Sequence, residues 1–117
     1  RSTLAQAIRL GENQIPRLEE RGELVTSLDI LKRLILIHKS IGGIENRAAV
    51  ERIYDRILLG NYPLDEVDKY IEMGQFFGRC GQVDSALRAY AKALQADPES
   101  KAARVNYRWN PKIQALS

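Results

Sequence analysis

The sequence predicts an all-α protein, and three observations carry that expectation. Apolar residues recur at spacings of three and four from end to end. No stretch of strand length alternates apolar with polar residues. The helix breakers Gly11, Gly22, Gly42 with Gly43, Gly60, Gly81, Pro98 and Pro111 cut the chain into pieces of mostly helical length.

Taken in order, a first short helix runs from about Ser2 to Leu10, capped by Ser2 or Thr3 and ended by Gly11. A second begins near Gln14, where Pro16 suits a first helical turn because it has no amide to donate, and stops at Gly22. Leu24 to Ser40 is longer. Its Leu28, Leu31, Leu34, Ile35 and Ile37 give a broad apolar face that must be largely buried. From Glu45 to Leu59, Ala49, Ile53, Ile57 and Leu58 lie on one side and Glu51, Arg52, Asp55 and Arg56 on the other, the pattern of an amphipathic helix with a solvated charged face. Asn61, Tyr62 and Pro63 form a turn. Val67, Tyr70, Ile71, Met73, Gly74 and Phe77 then mark a helix ending before Gly81; Val83, Ala86, Leu87, Tyr90, Ala93 and Leu94 mark the next, stopped by Asp97 and Pro98. A last helix covers about Ser100 to Arg108 and precedes a polar tail, 110–117.

Composition narrows the class. A chain of 117 residues with 44% hydrophobic and 28% charged side chains is expected to fold as one domain, here 1–109, and the start at Arg1 inside a helix-prone stretch is expected of a segment from a longer protein. No apolar run approaches the roughly 18 to 20 residues that cross a bilayer. With one cysteine, Cys80, and one histidine, His38, neither an internal disulfide nor a zinc or iron site is expected, and no cofactor is implied. Cys80 reads as a small residue at a helix end, and His38 as a residue of the last turn that complements the helix dipole. An unpaired cysteine fits a reducing cytoplasm. Of the net charge of +3, residues 1–66 contribute nothing, with ten basic and ten acidic side chains; after Glu99 there is no acid, while Lys101, Arg104, Arg108 and Lys112 follow at helical spacing. That stripe is either a solvated helix face or a surface for phosphate or an acidic peptide.

The order of residues between Val67 and Ser100 carries the strongest signal. Tyr70, Met73 and Gly74, Phe77, Gly81, Ala86, Tyr90, Ala93 and Pro98 follow one another at the intervals of an antiparallel helix pair in which small residues admit close approach and aromatic rings fill the grooves beside them. This resembles the tetratricopeptide repeat, whose period is 34 residues, with Met73 where leucine is usual. The same offsets laid on the start of the chain match Gly22, Ser27, Leu31 and Leu34 to Gly81, Ala86, Tyr90 and Ala93, a degenerate repeat over about 8–41 whose first helix departs through Gly11, Pro16 and an Ile15 where the close-contact glycine belongs. The helix at 45–59 then stands as an inserted or unpaired element. The resemblance implies helical hairpins stacked as a short right-handed superhelix, with the helix after Pro98 as cap; a four-helix bundle carrying one repeat-like hairpin is the structural alternative.

The functional expectation is a protein-protein interaction module, a scaffold that binds a peptide or helix of a partner. In the resembled architecture the concave face is lined by the first helix of each hairpin, which brings Asp68, Ile71, Gln75 and Arg79 to one stripe and sets Arg104 and Arg108 beside it. The partner expected there is a segment with acidic and apolar residues. The family's carboxylate clamp uses Lys and Asn where this chain has Ile71 and Gln75, which argues against a chaperone C-terminal tail. Nucleic-acid binding is the alternative, on the pI of 9.2, but no internal helix gathers Lys and Arg on one face. Catalysis is not expected: no glycine loop precedes a Lys-Ser pair, and Glu19, Glu20 and Glu23 read as a solvated turn.

Overall fold

The computed structural model describes residues 2–60, 62–64 and 66–108, and for Ser2 and residues 106–108 the backbone alone. They form six helices, with no strand among the described residues: α1 (Ser2–Glu20), α2 (Leu24–Ile41), α3 (Ile44–Leu59), α4 (Val67–Arg79), α5 (Val83–Ala96) and α6 (Lys101–Arg108). The chain divides into two compact units, Arg1–Pro63 and Leu64–Ser117. In the first, α2 packs on α1 and α3; in the second, α5 packs on α4 and α6. Connections of two to four residues make each packed pair an antiparallel hairpin. The tail expected at 110–117 lies outside the described residues.

The largest departure from expectation is α1, a single helix where two short ones were expected. Gly11 does not end it. Its backbone stays helical, and a Cβ placed there would sit 3.1 Å from Leu34 Cδ2 and 3.2 Å from Ile30 Cγ2 of α2. The glycine therefore serves close packing one turn before Ile15, which is itself buried. A glycine inside a helix costs about 1 kcal/mol against alanine. The apolar stripe of Ile8, Gly11, Ile15 and Leu18 against α2 offsets that cost. Pro16 lies on an exposed side of α1, where water can satisfy the carbonyl that its missing amide leaves unpaired.

The three-residue reversals at 21–23 and 80–82 are built alike. Gly22 and Gly81 have φ of 73° and 78°, a conformation that L side chains rarely adopt. Around the first, Glu23 N–H donates to Leu18 O at 2.9 Å and Gly22 N–H to Glu19 O at 3.1 Å. Around the second, Gln82 N–H donates to Phe77 O at 2.9 Å and Gly81 N–H to Gly78 O at 3.2 Å. These are the paired six-to-one and five-to-two bonds of the Schellman motif, which satisfy the last carbonyls of the helix and turn the chain at once. The positions matched between the hairpins agree in burial as well, since Ser27 and Ala86, Leu31 and Tyr90, and Leu34 and Ala93 are all buried.

Inside the second unit, Gly74 and Ala86 were expected to form the closest approach of α4 and α5. Both positions are buried there. A Cβ on Gly74 would fall 2.4 Å from Tyr90 Cε1, so the glycine makes a recess that the buried Tyr90 ring fills. Ala86, Ala89 and Ala93 form the buried face of α5. Phe76, which the repeat pattern leaves out, is buried beside Phe77, their rings edge-to-face at 6.1 Å. In α3 the buried stripe includes Val50 and Tyr54, while Ile53 is only half-buried. Ser100 precedes α6 as its cap, its Oγ accepting from Ala103 N–H at 3.2 Å, and Ala103 is fully buried.

The two glycines of α4 give a paired test. Gly74→Ala should lower stability by about 1–3 kcal/mol, because the buried Tyr90 ring has no room to give way. Gly78→Ala, at a helical position with nothing within 4 Å of the new Cβ, should raise it by up to about 1 kcal/mol. Denaturant unfolding of both variants checks the pair, and equal effects would show that Tyr90 does not lie over Gly74.

Candidate functional site

In the second unit the amphipathic spacing of α4 sends Tyr70, Met73, Gly74 and Phe77 into the core and leaves Asp68, Gln75 and Arg79 exposed in one stripe. Ile71, expected as an exposed anchor, is half-buried. Its neighbour Tyr70 is buried, and the Tyr70 hydroxyl donates to Leu64 O, fixing the segment that leads into α4. Lys69 and Glu72 flank the stripe as an exposed pair at 3.9 Å. Arg79 is exposed in the last turn, and its charge counteracts, in part, the burial that raises the Tyr90 phenol above its ordinary value of 10.0.

The α6 residues behave differently from a free basic stripe. Arg104 is exposed but folds back on its own helix start, with Nε donating to Pro98 O at 2.9 Å and Nη2 lying 3.7 Å from Glu99 Oε2. Its guanidinium is thus partly engaged, because the Asp97–Ser100 turn places a carbonyl and a carboxylate within one helical turn of it. The Arg108 side chain lies outside the described residues. Cys80 is half-buried at the end of α4 and is in no disulfide among the described residues. Among the described residues no helix is long and apolar enough to cross a membrane, and no group of three or more His, Cys, Asp or Glu is arranged to hold a metal ion.

The first unit holds polar structure that the sequence did not disclose. Glu19 of α1 meets Arg56 of α3 in a two-pronged pair, Arg56 Nε donating to Oε2 at 2.9 Å and Nη2 to Oε1 at 2.5 Å. The Tyr62 hydroxyl donates to the same Oε2 at 2.5 Å and stands 2.7 Å from Ser27 Oγ, a fully buried side chain of α2. Because Tyr62 gives its proton to Glu19, Ser27 is the donor to Tyr62. One network therefore ties α1, α2, α3 and the turn after α3. The bonds from Arg56, joined by that from Tyr62, hold the Glu19 carboxyl below its ordinary value of 4.5 although partial burial acts the other way. Burial, together with the Glu19 carboxylate, raises the Tyr62 phenol. Glu19, read from sequence as a solvated turn residue, is instead a cross-helix acceptor; its partners lie 37 and 43 residues away, beyond any local pattern.

Beside this network lies a cleft of about 190 Å³ between α1 and α3, with α2 behind it. Ile15, Leu31, Leu34, Ala49 and Ile53 form its apolar lining, and Glu12, His38, Arg52 and Arg56 its polar one. His38 is buried near the end of α2, more than a dipole-complementing residue. Asn46 Nδ2 donates to Gly42 O at 2.7 Å, so Asn46 Oδ1 is the acceptor for His38 Nδ1 at 2.7 Å and the proton sits on Nδ1.

Comparisons with protein-family models, with curated proteins and with solved structures returned no match. The geometry of these two surfaces is the basis for a functional conclusion.

The depressed Glu19 pKa sets a pH dependence. Folding favours the ionised carboxylate, so its contribution is complete above pH 4.5 and is lost as pH falls through the lower folded-state value. Arg56 is nearly half exposed, which screens the pair. Glu19→Gln should therefore cost about 1 kcal/mol at pH 7, and the difference from the native chain should shrink as the pH is lowered past 4. Urea unfolding at several pH values checks both, and a constant difference would assign the loss to packing.

Proposed function

We infer that this chain is a scaffold of helical hairpins of tetratricopeptide type that holds an extended peptide or a helix of a partner protein, and that it performs no chemistry itself. The observation that carries the reading is α4: one side is sealed by Tyr90 over Gly74 and by Phe77, while Asp68, Gln75 and Arg79 stand in solvent with part of Ile71 between them. A helix so firmly seated on one side and so open on the other is a rigid platform, and rigidity lowers the ordering cost of binding. The positive-φ turn at Gly81 and the burial of Ala86 and Ala93 support the repeat reading, and α6, packed on α5 with Ala103 buried, is read as its cap. The repeat resemblance adds Arg104 and Arg108 to the proposed face. Its partner is an acidic segment with an apolar residue that covers Ile71, the charges steering approach and the isoleucine adding burial.

Selection from a displayed random peptide library against the 117-residue chain tests this. Recovered peptides should be enriched in Asp or Glu beside Leu or Ile. Arg79→Glu should weaken them about tenfold without loss of helicity, and adding Arg104→Glu should weaken them further. Peptides indifferent to both reversals, or tighter binding to random DNA that falls steeply with salt, would count against the reading.

A further inference from the structure

The cleft of the first unit carries a second site. We propose that it receives one apolar side chain of a partner protein whose neighbouring carboxylate pairs with Arg52. This site lies in the other unit from the α4 stripe and stands whether or not that stripe binds anything.

Size decides the class of occupant. Pockets for cofactors and small organic ligands run from roughly 300 to 1,000 Å³. At about 190 Å³ this cleft holds one or two side chains and no more. Its lining of Ile15, Leu31, Leu34, Ala49 and Ile53 is apolar, which suits an aliphatic group.

Charge decides what accompanies it. α1 and α3 each run antiparallel to α2 and so parallel to one another, and Glu19 joins Arg56 at one end of the cleft. One turn earlier on each helix, Ile15 and Arg52 both line the cleft. Position 15 is an isoleucine, so the turn of α1 before Glu19 offers the cleft no second carboxylate, and the exposed Arg52 has no ion-pair or hydrogen-bond partner among the described residues. Arg56 is not available, since Glu19 already takes two of its N–H groups. The other unpaired charge on the lining, Glu12, lies about one turn beyond Ile15 on α1. The site is thus polarised along its length: a carboxylate is drawn to the Arg52 end and repelled from the Glu12 end. An occupant that supplies the acid missing at position 15 completes the ladder that Glu19 and Arg56 begin.

The test follows amide chemical shifts of the ¹⁵N-labelled 117-residue chain during titration with three capped dipeptides, Leu-Glu, Leu-Gln and Leu-Lys. Leu-Glu should give saturable shifts at Ile15, Ala49 and Ile53 with a dissociation constant on the order of a millimolar. Leu-Gln should bind about tenfold more weakly. Arg52→Glu should weaken Leu-Glu about tenfold and make Leu-Lys the preferred ligand, and Arg52→Gln, a milder change at the same exposed position, should abolish the preference for Leu-Glu over Leu-Gln. Glu12→Gln should tighten Leu-Glu. Arg79→Glu should leave all of these values unchanged, which separates this site from the α4 stripe. Equal affinity for Leu-Glu and Leu-Gln, Leu-Glu binding that ignores both Arg52 variants, or the lack of saturable shifts at the three lining amides would each overturn the proposal.

Discussion

The α1–α2 and α4–α5 hairpins each depend on a chain reversal that takes only three residues, and that reversal requires a glycine at positive φ. With Gly22 and Gly81 in this conformation, the last carbonyls of α1 and α4 are bonded and the next helix begins two residues later, already facing the one before it. A longer connection would not set the register so firmly, and the register is what brings Leu34 beside Gly11 and Tyr90 over Gly74. The packing of each unit is downstream of that turn.

From the same turn the two hairpins diverge in how they use a missing side chain. Gly74 gives room to an aromatic ring, whereas Gly11 gives room to the branched ends of Leu34 and Ile30. The second unit thereby closes with rings and small residues, and its α5 face is made of alanines. Aliphatic packing in the first unit is supplemented by polar cross-links, the Glu19 network at one end and His38 with Asn46 at the other. Between those two cross-links α1 and α3 leave the cleft, with Ile15 and Arg52 both on its lining.

Each unit therefore shows its own kind of surface. On α4 the exposed stripe belongs to a seated helix and is polar with a partly covered apolar residue. In the first unit the exposed feature is concave, apolar in its lining and bounded by single unpaired charges. One is open along a helix, and the other is a cleft of about 190 Å³.

Helix content, the bounds of five of the six helices to within a residue or two, the glycine turns and most buried positions were legible in the sequence, because they follow from local periodicity and from the backbone freedom of glycine. The α4–α5 hairpin was legible in most detail, since its contacts join residues whose spacing repeats. What the sequence could not decide was the sense in which an ambiguous residue is used. Gly11 and Pro16 carry the marks of helix ends, yet α1 runs through both, because burial of one stripe against α2 outweighs two local penalties. Gly74 and Ala86 mark a close approach, yet which side chain fills it is settled by Tyr90. Glu19, Arg56, Tyr62 and Ser27 looked like separate surface and turn residues, and only the folding together of three helices made them one network and left Arg52 without a counterpart. Local order is written in neighbouring residues; pairing across 35 to 43 positions exists only once the helices have packed.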